Sequence, residues 1–276
     1  MRIFRGILVL AIVLVGGTAY ADWRQMLDTA KGIVQTVKGP SADEEVEIGR
    51  QWAALLVGAA PLVHDEAKER YVNKVGRWLA LHSERPDLNW KFGILDSPNI
   101  NAFAMPGGYV LITRGLVERL HNEAELAGAL AHEISHVVCK HQLKALKKSK
   151  AIGLGSEGLG KWAASKGQDP ALTKNVIGGL KEVTLRGLDK DDEYQADRMG
   201  VVIAARSGYD PFGLAKVLQM LQSMNAQDSG LALLFATHPA PAARLDALEK
   251  SVGGQLDTYA EQPPFAERYL KVMAAP

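Results

Sequence analysis

Apolar positions recur every three to four residues along most of the chain, which predicts a mainly helical protein interrupted by one block of strands. Pro40-Ser41 opens the first clear helix: Ser41 is placed to cap, Glu44 to answer it, and Ile48, Trp52 and Leu55-Leu56 carry an apolar stripe to about Gly58. A second helix is expected over residues 65–83 with Tyr71, Val75, Trp78 and Leu79 inward, and with Trp52 and Trp78 as core anchors. Strand character begins at residues 88–95 and resumes at 100–105. It returns at 109–113 after Pro106-Gly107-Gly108, so the last two runs read as a hairpin. Asn122 then caps a strongly periodic helix through Leu126, Ala127, Leu130, Ile134 and Val137. Further helices are expected from about Glu193 to Gly208, over 211–225 and over 239–252. The fold class is α+β, mostly helical, with a small β-sheet beside the helix that starts at Asn122.

The remaining stretches set the boundaries. Met1-Arg2-Ile3-Phe4-Arg5, the apolar run to Gly17 and the small residues Ala19 and Ala21 predict a signal peptide over 1–21, cleaved before Asp22. Its apolar core falls short of the roughly 20 residues that span a bilayer, so no integral membrane segment is expected after cleavage. Residues 22–40 form a leader of undecided structure, 41–252 the expected main domain, and 253–276 a loosely packed tail. Lys140, Lys144, Lys147, Lys148 and Lys150 predict a solvated helix face. The glycine-dense, apolar stretch that follows makes residues 144–187 a helical flap.

Composition narrows the class. With 276 residues, 47% hydrophobic and 23% charged, the chain is ordinary globular protein. Its formal charge of +1, or −1 once Arg2 and Arg5 leave with the signal, gives nucleic acid no general attraction. The lone Cys139 excludes an intrachain disulfide and a paired-cysteine metal site.

The chemistry centres on His132-Glu133-Ile134-Ser135-His136. Two imidazoles four residues apart on a helix reach one metal ion, while Glu133, about 100° around, stands beside it. There a carboxylate can take a proton from a water that the ion activates. A catalytic zinc usually takes three protein ligands. On a continuous helix His141 would face away and be structural, and His64, His82 and His121 read as surface residues. Cys139 lies on the His132/His136 side but reads as a buried, inert thiol. Glu193 and Asp197 are the better candidates: four apart on a second helix, they offer a ligand carboxylate and a partner for a ligand imidazole N–H. The helix dipole explains Asp189, Asp191 and Asp192, but not the deeper Asp197. One strand of the hairpin, if an open sheet edge, could pair with an extended peptide.

Residues 101–108 (Asn-Ala-Phe-Ala-Met-Pro-Gly-Gly), the motif from His132 to His136, Glu193 with Asp197, and Thr237-His238-Pro239 stand in the order of one family. Over roughly residues 41–250 the chain resembles the gluzincin endopeptidases of the HtpX/CAAX-prenyl-protease group, family forty-eight of the metallopeptidases, and is most similar to its exported bacterial branch. The resemblance implies a zincin-like fold and one Zn2+ per chain held by His132, His136 and Glu193. It also implies Glu133 as general base and Asn101, Ala102, Phe103 and Ala104 as the substrate-pairing edge. By the same resemblance His238 is expected to approach the metal, either aiding catalysis or capping it in a latent enzyme. A barrel-assembly relative in that branch carries a helical-repeat domain after its peptidase domain. No repeat of 34 residues is found here, so docking through such a domain is not expected.

The expected activity is therefore exported, zinc-dependent endopeptidase hydrolysis of unfolded or misassembled envelope proteins. The expected setting is the periplasm, peripheral at the outer membrane, with unfolded polypeptides and the outer-membrane assembly machinery as partners. Two rivals are a gluzincin aminopeptidase and a latent metalloprotease that works mainly as a periplasmic chaperone.

Overall fold

The computed structural model of the chain describes residues 40–153, 187–225, 228–259 and 261–274. The expected signal peptide, nearly all of the leader, and residues 154–186 of the expected flap lie outside them. Helix α1 (Ala42–Ala59) starts with the anticipated capping box: Ser41 Oγ accepts from Glu44 N, and Glu44 Oε2 accepts from Ser41 N at 2.8 Å. Helix α2 (Glu66–Leu81) starts at Asp65, whose carboxylate accepts from the N–H groups of Ala67 and Lys68.

The strands are β1 (Lys91–Leu95), β2 (Ala102–Met105) and β3 (Tyr109–Thr113), in the order β1-β3-β2. β2 and β3 form the expected antiparallel hairpin, while β1 runs parallel to β3. The outer side of β1 is covered by residues 61–63 through Val63 N to Ile94 O and Asp96 N to Pro61 O. β2 is left as the open edge among the described residues.

The short helix α3 (Arg114–Val117) leads to α4 (Glu123–Val138), which Asn122 caps through Glu125 N and which is buried from Glu123 to Val137. A helix buried on every side needs neighbours all round. These are α2, β2 and β3, and, further along the chain, α6 (Lys190–Arg206) and α7 (Gly213–Ser223), which follow α5 (His141–Gly153). Leu126, Leu130 and Ile134 of α4 join Val72, Leu79, Ile94, Ile112 and Ile203 in the main core. Each such side chain contributes roughly 1.5–3 kcal/mol by leaving water. A second cluster sets Ile48 and Trp52 of α1 against Met105, Leu111 and Leu143. Gly200 of α6 lets two backbones touch: a Cβ there would lie 2.9 Å from His132 N. The chain then runs through α8 (Ala232–Thr237) and α9 (Pro241–Leu256) to α10 (Ala266–Met273).

The α+β, mostly helical expectation holds, with the small sheet beside α4. Several details differ. Trp78 is not a core anchor: it is 48% exposed, its indole donating to Ser207 O at 2.8 Å. The buried stripe of α2 is Val72, Val75, Gly76, Leu79 and Ala80, whose centre lies about 130° around the helix from Trp78. The tail is not loosely packed. Tyr269 of α10 is buried and donates to Val117 O at 2.6 Å, and Arg268 pairs with Glu123. Nor does the α4 helix continue to His141. Lys140 adopts φ 57°, which ends α4, and His141, the first residue of α5, is fully buried. Cys139 is only half-buried, its Sγ 3.7 Å from Met199 Sδ.

Candidate metal and catalytic site

The site lies where α4 crosses α6. Helical spacing puts His132 and His136 on one face of α4, their Nε2 atoms 3.0 Å apart. The same spacing on α6 turns Glu193 and Asp197 towards them, and Gly200, one turn on, permits the close crossing. Glu193 Oε1 is 3.5 Å from His136 Nε2 and Glu193 Oε2 is 3.7 Å from His132 Nε2. His238, immediately after α8, completes the group: its Nδ1 is 2.7 Å from Glu193 Oε2. One donor atom from each of His132, His136, Glu193 and His238 lies within 4.8 Å of the others.

The donor set suits a small divalent cation. Asp197 Oδ1 lies 2.9 Å from His132 Nδ1, so the network assigns that nitrogen the proton and leaves Nε2 a lone pair. That lone pair faces His136 and a carboxylate, and Glu193 Oε1 is buried with no hydrogen-bond partner. Lone pairs and an orphaned anionic oxygen crowded together are unfavourable unless a cation lies among them. Tetrahedral zinc, with ligands at about 2.0–2.2 Å, requires ligand-to-ligand separations of about 3.3 Å, and the observed distances bracket that value.

Electrostatics support the same arrangement. Burial drives the His136 imidazole well below its usual range, which keeps it neutral. Burial alone would raise Glu193, but the surrounding His238, His136 and His132 hold it well below the ordinary carboxylate range. Burial likewise opposes ionisation of Asp197, and Arg244 overcomes it. The Arg244 guanidinium grips that carboxylate through Nε at 2.9 Å and Nη2 at 2.5 Å. Glu133 goes the other way: burial lifts its carboxyl above the usual value, with the neighbouring Glu193 adding to the rise.

Glu133, His136 and His238 line an open cleft together with Ala102, Phe103, Ala104 and Met105 of β2 and Trp52 and Leu56 of α1. Thr113 N donates to Asn101 O, which makes that pair a hydrogen-bonded one. In an antiparallel ladder the alternation then turns the backbone groups of Ala102 and Ala104 away from β3. Asn101 is buried at the head of the strand, where its Oδ1 accepts from Ala102 N.

Of the residues singled out in the sequence, the structure gathers His132, Glu133, His136, Glu193, Asp197 and His238 in one cluster, with Ala102 to Ala104 lining the same cleft. Two buried neighbours were not among the expected site residues, His141 having been expected to face away as a structural residue. Arg244 sits in the apolar stripe of α9 with Pro241 and Leu248, and an arginine in such a stripe was the available signal. His141, fully buried against His136, left none, because its position depends on the turn at Lys140.

Residues 66–252 match the sequence profile of Peptidase family M48. Among curated proteins, the chain is 30% identical over 211 residues to the beta-barrel assembly-enhancing protease of Escherichia coli, an alignment covering 74% of this chain and 43% of that protein. It is 29% identical over 182 residues to the mitochondrial metalloendopeptidase OMA1 of Schizosaccharomyces pombe, covering 65% and 52%. It is also 27% identical over 167 residues to the metalloprotease YcaL of Escherichia coli, covering 60% and 63%. The chain thus spans less than half the length of the assembly-enhancing protease it matches. No helix among the described residues is long and apolar enough to cross a membrane.

Proposed function

The chain belongs to Peptidase family M48 and its relatives are metalloproteases; from that premise we propose that it is a zinc-dependent endopeptidase acting on unfolded or extended polypeptides. The observation that carries the reading is the orphaned Glu193 Oε1 set among His132, His136 and His238, in a cleft shared by Glu133 and the open edge of β2. His132, His136 and Glu193 would hold the ion, with Asp197 orienting His132. When bound, zinc supplies a Lewis acid that activates water at neutral pH and polarises the scissile carbonyl.

The chain's own residues do the rest. Glu133, its proton affinity raised by burial, accepts the proton of the attacking water and returns it to the leaving amine. The outward carbonyl of Ala102, whose N–H is taken by Asn101 Oδ1, and the outward backbone groups of Ala104 hold the peptide extended by strand addition, with Asn101 and Phe103 fixing the register of the edge. An unfolded segment adopts the extended form that this edge pairs with most readily, so unfolded segments are the preferred targets. Activity in the periplasm, in quality control of envelope proteins beside the outer-membrane assembly machinery, extends this reading by likeness to the assembly-enhancing protease. Glu133→Gln should retain stoichiometric zinc and lose about 10²–10⁴-fold in cleavage of unfolded casein. Retained cleavage by rigorously purified variant protein would refute the assignment.

A second reading, latency, is favoured by one contact: His238 Nδ1 is within 2.7 Å of Glu193 Oε2, inside the ligand group. If His238 caps the ion, His238→Ala should cleave casein faster than the parent. If it aids catalysis, the same variant should be slower.

A further inference from the structure

His141 packs against the proposed ligand His136, with Nδ1 facing Nδ1 at 2.9 Å. Only one proton can lie between two ring nitrogens at that distance, so one ring donates and the other accepts. The far side of His141 decides which. Its Nε2 meets Gln195 Oε1 at 3.1 Å and Asp192 Oδ1 at 3.3 Å. The carboxylate oxygen beside that nitrogen disfavours a bare lone pair there and favours Gln195 presenting its Oε1, so His141 Nε2 carries the proton. The ring is fully buried, and Lys144 already neutralises Asp192 from 3.3 Å. A neutral His141 with its proton on Nε2 has a bare Nδ1. His136 must then donate from Nδ1, and its Nε2 is left as a lone pair pointing at His132 Nε2 and Glu193 Oε1. The opposite polarity would place an N–H in the centre of the ligand group.

We propose that His141 is a positioning residue, holding His136 in the tautomer and ring orientation that a metal ion at His132, His136 and Glu193 requires. It does for His136 what Asp197 does for His132, so both imidazoles are oriented through their Nδ1 protons from opposite flanks. The anchor of this second relay is α5, which Lys144–Asp192 and Lys148–Asp189 ion pairs tie to α6. The inference rests on the metal-site reading above.

The test uses the full chain. Long-range 1H–15N correlation of the zinc-loaded protein should show His141 with a proton on Nε2 and none on Nδ1. A proton on Nδ1 would overturn the proposal, and this measurement needs no variant. His141→Leu should bind zinc about 10–100-fold more weakly in chelator competition, whereas His141→Asn, whose Oδ1 stands where Nδ1 stood, should recover most of that loss. Wild-type affinity in the Leu variant would overturn the proposal while leaving the metal site intact. A parent protein that takes up no zinc would overturn both.

Discussion

Individual side chains divide here into those that touch the reacting centre and those that hold them. Asp197 belongs to the second group and is the most exposed to test. It is buried, held ionised by Arg244, and bonded to His132. Asp197→Ala leaves a buried guanidinium without its partner, at a cost of roughly 3–5 kcal/mol in denaturant unfolding. It should also weaken zinc about 10–100-fold, because His132 loses the acceptor that fixes its tautomer. The His132-to-His136 spacing and the Glu193–Asp197 spacing were legible in the sequence because each pair lies within one turn of a single helix. Arg244, 47 positions beyond Asp197 in the chain, was not.

At the scale of elements, the device that most needs explanation is the turn between α4 and α5. Lys140, at φ 57°, reaches Glu45 of α1 with its ammonium at 2.8 Å, and Arg85 reaches the same carboxylate at 2.6 Å. Gly107 N, in the β2–β3 turn, also donates to Glu45. One buried carboxylate therefore gathers α1, the hairpin and the end of α4. Burial opposes its ionisation, yet the two cations bring it below its ordinary value. A lowered folded-state pKa means that the stabilisation is complete above the unfolded value, near 4.3. It is lost as pH falls through the lower folded-state value. The stability gap between the parent and Glu45→Gln should therefore be full at pH 7 and shrink below about pH 4, read as denaturant midpoints. Helix starts at Ser41, Asp65 and Asn122 were readable because capping is local chemistry. Trp78 was misread because the inward face of a helix is set by what packs on it.

Over the whole molecule, the main core is closed by a segment that composition marked as tail. Glu123, the first residue of α4, accepts from Tyr71 of α2, from Tyr209 beyond α6 and from Arg268 of α10. Tyr269 beside it is buried in the main core. Removing such an aromatic side chain and its hydrogen bond costs about 3–5 kcal/mol, so Tyr269→Ala should lower the unfolding midpoint as a core substitution does. A change within about 0.5 kcal/mol, as at a surface site, would mean that α10 adds little to the fold. Gln262-Pro263-Pro264 reads as a breaker sequence, yet Pro264 O accepts from Ala124 N and Gln262 Nε2 donates to Ala205 O. Proline content speaks to local backbone freedom and says nothing of long-range docking.

What the sequence determined alone was everything within reach of a helical turn or a strand pair: the facing imidazoles, the carboxylates four apart, the caps, and the hairpin whose outer strand lines the cleft. Those relations follow from fixed rises and angles per residue, which neighbouring elements do not alter. Only the tertiary structure decided that α4 and α6 cross at Gly200, that Arg244 reaches Asp197, and that the left-handed residue Lys140 ends α4 and leaves His141 against His136. Each of these depends on a contact between residues far apart in the chain, or on one backbone angle that periodicity cannot report.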